Sequence, residues 1–227
     1  MPADERPRPT RRSVVRDSIG VGVATGAYGV SFGAISVASG LSVLQTCALS
    51  LLVFTGASQF ALVGVVASGG NPITGAVSAL LLGSRNTLYG LRLAPLLGFT
   101  GWRRATAAHL IIDESTAMSV VQPDPELARV GFLVTGGSVF VLWNAATFAG
   151  AVGSEALGDP RAYGLDAAVG AAFLGLLWPR LSGRTERLAA LFAALLALGL
   201  VPLTTPGVPV LAAGLVAVAL GLRWRRS

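Results

Sequence analysis

The chain has no lysine, one histidine (His109), one cysteine (Cys47), and no acidic or basic residue anywhere in the 67 positions from Ser18 to Ser84. Each shortage excludes a class of function. A lone cysteine gives neither an intrachain disulfide nor a thiolate metal site, and a small packed residue is its default role. Without lysine there is nothing to sit on a bound phosphate, and the Gly-rich stretches fall inside apolar runs, so no nucleotide is expected. Charged residues make up 12% of the 227 positions, against about 25% in soluble domains. With 53% hydrophobic residues and a mean hydropathy of +0.69, the composition is that of an integral membrane protein.

What charge there is carries topology. All 17 basic residues are Arg and the net charge is +6, but they sit at the chain ends and in short loops, the pattern of cytosolic flanks of membrane spans. A nucleic-acid partner would need a soluble basic face with interleaved aromatics, and none is present. Met1 to Asp17 holds five Arg and three Pro and no cleavage site after a short apolar core, so residues 1–17 read as a retained cytosolic basic tail. Residues 18–222 read as one transmembrane transport domain with halves 18–121 and 130–222. Residues 223–227 form a basic cytosolic C-terminus. The partner this implies everywhere is the lipid bilayer.

The expected fold is all-α, a polytopic integral membrane helical bundle of about six to eight membrane segments. The first, Ser18 to Ser39, repeats small residues at Gly22, Gly26, Gly29, Gly33, Ser36 and Gly40. These share one helix face, which suits either close packing on another helix or contact with a substrate. The second, Leu44 to Ala67, carries Gln45, Ser50 and the polar cluster Thr55-Gly56-Ala57-Ser58-Gln59. Polar side chains and glycine survive at membrane depth only against protein or a water-lined cavity, so this cluster is a binding-site candidate. Gly69-Gly70-Asn71-Pro72 ends the segment.

Arg85 stands about 18 Å into the third apolar segment at roughly 1.5 Å per residue, followed on its face by Asn86, Tyr89 and Arg92. An intramembrane Arg is either a functional site or a charge neutralised by a carboxylate from a neighbouring helix. Four full crossings before Val121 would leave Arg103 and Arg104 outside. A broken or re-entrant helix in residues 72–98, interrupted near Gly83-Ser84, returns them to the cytosol and resembles the discontinuous helices of transporter sites. It gives about six or seven full spans plus a partial one.

His109, Asp113 and Glu114 follow in Ala105 to Val121. His109 and Asp113 are expected on one helical face. They suit proton handling or ion pairing, or a water-exposed edge, better than a metal, which wants three or more convergent ligands. No metal or other cofactor is expected, and without a triad or ligand set no enzyme. After the breaker Gln122-Pro123-Asp124-Pro125-Glu126, Val130 to Ser154 carries Trp143 and Asn144. Asn144 is either interhelical packing glue, worth about 0.6 kcal/mol on average, or part of a site. The loop with Glu155, Asp159, Arg161 and Asp166 suits the outer side. Leu188 to Leu222 splits at Pro202, Pro206 and Pro209 into two helices of about 14 to 16 residues, short for a ~30 Å core. Both termini come out cytosolic.

Phe54-Thr55-Gly56-Ala57-Ser58-Gln59-Phe60, preceded by Gly40-Leu41-Ser42 and followed by Arg85 with Leu88-Tyr89-Gly90 and then Asp113-Glu114-Ser115, resembles the AzlC family of branched-chain amino acid permeases. The resemblance runs through nearly the whole chain, including Tyr163-Gly164-Leu165-Asp166. It implies a multi-pass cell-membrane protein, the large subunit of a two-component exporter for branched-chain and related hydrophobic amino acids. The partner it implies is a small AzlD-type membrane subunit, and a proton gradient is the expected energy source. The residues carried over are Gly56, Ala57, Ser58, Gln59, Arg85 and Tyr89, with Asp113 and Glu114. The family usually has an Asn two places before the Arg and a His after it, where this chain has Gly83 and Asn86. The expected substrate-binding set is therefore Gly56, Ala57, Ser58, Gln59, Arg85, Asn86, Tyr89 and Asn144, with Asp113 or Glu114 for proton coupling or ion pairing. A structural assembly subunit without its own site is the main alternative, since glycine stripes also serve packing.

Overall fold

The computed structural model describes residues 8–157, 174, 177–178, 181–205 and 207–224, and among these there are helices and no strands. The helices are α1 (Arg11–Ala38), α2 (Val43–Leu52), α3 (Ala57–Ala67), α4 (Pro72–Gly83), α5 (Arg85–Leu97), α6 (Gly101–His109), α7 (Asp113–Val120) and α8 (Pro125–Leu157), then α9 (Arg184–Leu200) and α10 (Val208–Trp224). Of the expected acidic loop, Glu155 falls within α8, and Asp159, Arg161 and Tyr163 to Asp166 lie outside the described residues.

Among the described residues two helices, α1 and α8, are long and apolar enough to cross a membrane. At 28 and 33 residues they measure about 42 and 50 Å. α1 starts seven residues earlier than expected because Thr10 and Ser13 cap it reciprocally. The Thr10 hydroxyl accepts from the Ser13 N–H, and the Ser13 hydroxyl accepts from the Thr10 N–H. α9 and α10 are 17 residues each, slightly longer than expected, because Arg184 to Arg187 and Arg223 with Trp224 join their ends.

The α1 glycine stripe is a packing face. A side chain at Gly22, Gly26, Gly29 or Gly33 would run into Ser138, Leu142, the Trp143 carbonyl or the Thr147 carbonyl of α8, respectively. α8 reciprocates with Gly150, set against the Val30 carbonyl. The two helix backbones thus lie nearly in contact along several turns, which maximises dispersion contacts where no hydrophobic driving force separates helix from lipid. Ser154 Oγ adds a hydrogen bond of 3.2 Å to the Ala34 carbonyl. Of the expected stripe, Gly40 lies off the contact: its φ of +95° makes the turn that ends α1.

Against this pair the remaining chain folds as interrupted segments. The expected continuous second span, Leu44 to Ala67, is in fact two helices. Phe54 to Gly56 leave the helix, and Gly56 takes φ +49° and ψ −85°, a conformation open to glycine and strained for other residues. The interruption anticipated at Gly83-Ser84 is present between α4 and α5. There the Ser84 hydroxyl takes the Leu81 carbonyl at 2.7 Å, competing with the helical N–H that would bond it. A third break, Leu110 to Ile112, divides α6 from α7. Gln45, read as a polar residue within a span, instead completes the N-terminal cap of α2, its Oε1 accepting from the Ser42 N–H at 2.8 Å.

The core gathers Phe32, Phe60 and Trp143, from α1, α3 and α8, with Phe54 and Ile112 from two of the breaks. Phe32 meets Phe60 edge-on at 5.3 Å and stacks with Trp143 at 5.9 Å. Aromatic packing therefore ties the irregular segments to the rigid helix pair. Gly33→Ala should lower the melting temperature of the purified protein in detergent, by an overpacking cost of about 1–3 kcal/mol. Gly20→Ala, whose added methyl meets nothing within 4 Å, should leave it unchanged.

Candidate functional site

A helix that stops in an apolar environment leaves backbone carbonyls and N–H groups that need partners. At the α2–α3 and α6–α7 breaks those partners are polar side chains, three of them brought from other helices. Gln59 Nε2 donates to the Leu49 carbonyl at 3.1 Å, and His109 Nε2 lies 2.9 Å from the Leu51 carbonyl. Both acceptors belong to the last turn of α2. Since a carbonyl only accepts, His109 carries its proton on Nε2. Asn86 Nδ2 donates to the Ile111 carbonyl at 2.9 Å, inside the α6–α7 break. Ser115 holds the same break from the other side, accepting from the Ile112 N–H at 3.1 Å and donating to the Leu110 carbonyl at 2.7 Å.

That last arrangement corrects the expectation that His109 and Asp113 share one helical face. Ser115 takes over the backbone groups that would have carried the helix through. His109 therefore ends α6 and Asp113 begins α7. His109 packs against Phe140 at 5.6 Å and Phe54 at 6.1 Å.

The first turns of α3, α5 and α7 meet at a cavity of about 230 Å³, lined by Gly56, Ala57, Arg85, Asn86, Asp113 and Glu114 together with Ala24, Thr25, Tyr28, Phe54, Thr55, Phe60, Ile112, Val139 and Trp143. One water needs roughly 10–15 Å³ on this measure, so the space suits a small organic molecule. Its charged lining includes an ion pair: Arg85 Nη2 lies 3.1 Å from Asp113 Oδ2. Of the two readings of Arg85, neutralisation by a neighbouring carboxylate is therefore present, and the guanidinium still faces the cavity. Asp113 and Glu114 both occupy the first turn of α7, where the helix dipole stabilises negative charge. The first turn of α3 has no side-chain cap, which leaves its N–H groups as donors beside Gly56.

The rest of the lining is mostly apolar and aromatic, with Tyr28, Phe60, Val139 and Trp143. Four of the lining residues carry a buried polar atom without a hydrogen-bond partner: Thr55 Oγ1, Arg85 Nε, Asn86 Oδ1 and Trp143 Nε1. Unpaired buried groups cost roughly 1–3 kcal/mol each, and a polar guest would relieve that cost.

Of the ten residues expected at a site, six line this cavity and four do not. Gln59 is fully buried and bonded to Leu49. Ser58 faces a second cavity of about 710 Å³. Asn144 Nδ2 donates within its own helix, to the Phe140 carbonyl at 2.8 Å, and neither it nor Tyr89 lines either cavity. Tyr28 and Trp143 are lining residues that sequence reasoning missed. Trp143 precedes Asn144, so the signal there lay one position away, whereas Tyr28 stands out only as an aromatic one residue before Gly29 of the packing stripe.

A family model described as AzlC protein matches residues 20–157, which takes in the whole cavity lining. An uncharacterized membrane protein of Helicobacter pylori (strain ATCC 700392 / 26695) is 28% identical over 90 residues, 40% of this chain and 40% of that protein. The chain thus matches well under two thirds of that relative's length. No solved structure matches.

Arg85→Ala or Asp113→Ala alone should destabilise the protein by about 2 kcal/mol, between the values for exposed and buried pairs. The double substitution should cost less than the sum of the two, because neither charge is then stranded. Thermal melts of the three variants in one detergent check this.

Proposed function

The chain belongs to the AzlC family, and from that premise we propose that it is the substrate-carrying large subunit of a membrane permease that exports branched-chain or related hydrophobic amino acids. A small AzlD-type membrane subunit is its partner, the cell membrane its location, and both termini face the cytosol. The observation that carries the reading is the cavity's mixed lining: an Arg85–Asp113 ion pair with Glu114, and beside them Tyr28, Phe60, Val139 and Trp143. That combination matches a zwitterion with an apolar side chain. Broken helices whose N-termini face a site are also how transporters hold such substrates.

In this mechanism the substrate carboxylate takes a donor from Arg85, exchanging with Asp113, or from the first turn of α3. The ammonium goes to Glu114. A carboxylate that accepts either a substrate ammonium or a proton, but not both, makes the two compete for one group. Competition of that kind is what exchange of an outgoing substrate for an incoming proton requires. The apolar lining selects for branched aliphatic side chains by burial, about 0.8 kcal/mol for each methylene.

The test is efflux of preloaded, labelled valine, leucine and isoleucine from cells carrying this chain, the small partner, or both. Faster efflux is expected only with both. Arg85→Ala should slow it about tenfold or more, the value of a lost charge-assisted hydrogen bond, and Glu114→Gln should abolish its dependence on the proton gradient. Unchanged export by both variants at normal membrane levels would sink the mechanism. A variant that still assembles with the partner but no longer exports separates a transport role from a purely structural one.

A further inference from the structure

The second cavity, of about 710 Å³, shares three lining residues with the first: Phe54, Thr55 and Asn86. The two spaces therefore abut, and what stands between them is the α2–α3 break and one side chain from α5. The larger space extends away along α4 and α6, past Ala79 and Thr87 to His109.

The three dividing residues are held differently. Asn86 is fixed by its hydrogen bond to the Ile111 carbonyl. Phe54 is buried at 4% exposure, and its ring, which has no hydrogen-bonding group, is held by apolar packing and edge-on contacts, chiefly with Phe140 at 5.0 Å. Its backbone lies between the end of α2 and Gly56, whose φ is +49° and around whose missing side chain there is open space. A bulky ring on a non-helical stretch next to a glycine with room to turn is the most movable part of the partition. Beside it, Thr55 Oγ1 and Asn86 Oδ1 are buried acceptors without a hydrogen-bond partner. They lie where a passing ammonium group would need acceptors.

We infer that the two cavities are successive compartments of one permeation route and that Phe54 is the gate between them, with Thr55 Oγ1 and Asn86 Oδ1 as polar contacts for a substrate in transit. The inference rests on the permease reading, but it concerns water access and not substrate identity, so the two can fail separately. It gives the α2–α3 break a role besides supplying a helix N-terminus to the site. The charged cavity is one side of the gate, and the space beside His109 is the other.

The experiment uses the full chain with Cys47→Ser, carrying a single reporter in the charged cavity (Thr25→Cys) or in the larger one (Thr87→Cys). Membrane vesicles of both orientations are exposed to a small, membrane-impermeant cationic methanethiosulfonate. With Phe54 intact, Thr25→Cys should react from one face only and Thr87→Cys from the opposite face only. Phe54→Ala should let each reporter react from both faces, with labelling from the formerly closed face faster by about tenfold or more, since a minor open state is populated at most about 10%. Phe54→Val should fall between, and it supplies the same readout if Phe54→Ala fails to accumulate, while Phe54→Leu should stay closed. Reaction of both reporters from the same face, labelling of Thr87→Cys by membrane-permeant reagent alone, or an access pattern indifferent to residue 54 would each overturn the gate.

Discussion

A backbone carbonyl without a donor is costly wherever water cannot reach it, and the central part of this protein is arranged around that fact. Interrupting α2–α3, α4–α5 and α6–α7 frees such groups at three places. Gln59, His109, Asn86 and Ser115 bond the carbonyls at the first and last of these, mostly from other helices, and Ser84 serves the middle one from within it. Because Gln59 bonds α2 from α3, and Asn86 bonds the α6–α7 break from α5, neither of those breaks can open or close without disturbing a neighbouring segment. The interruptions are one connected structure, and the cavity is the space that their N-terminal ends enclose.

Such a structure needs something rigid behind it. α1 and α8 supply this through a glycine-lined crossing in which a methyl added at Gly22, Gly26, Gly29 or Gly33 would run into α8, at the last two into a backbone carbonyl. Trp143 belongs to both parts. Its carbonyl lies against Gly29 in the crossing, and its indole ring packs with Phe32 and Phe60 and lines the cavity. A packed helix pair has little freedom to deform continuously. Movement during a transport cycle would fall on the irregular segments, where Gly56 and the stretch before it are not held in a helix.

The charge arrangement follows the same division. Arg85 begins α5 and Asp113 begins α7, so the pair that neutralises this partly buried cation also joins two of the breaks. A substrate carboxylate that took Arg85 from Asp113 would loosen that junction. On the proposed mechanism, binding and conformation would thereby be linked through one ion pair, without any longer chain of contacts.

The apolar composition, the 67-residue uncharged run, the small-residue face of α1 and the standing of Arg85 and the Thr55 to Gln59 cluster as polar groups inside apolar segments were legible in the sequence, because they depend on composition and on a fixed helical period. The break at Gly83-Ser84 was legible too, since an unbroken third segment would leave Arg103 and Arg104 outside. Other features depended on residues far apart in the chain. Whether Gln59 faces a substrate or caps α2 is decided by where Leu49 comes to lie. Whether His109 and Asp113 share a face is decided by how Ser115 uses its hydroxyl. Tyr28 and Trp143 reach the cavity only because the glycine crossing sets α1 and α8 at close range. Periodicity and composition determined that this chain is helical, apolar and polar in a few telling places. Tertiary structure alone decided which of those polar groups serve the backbone and which face the cavity, because a hydrogen bond is assigned by distance in space and not by position in sequence.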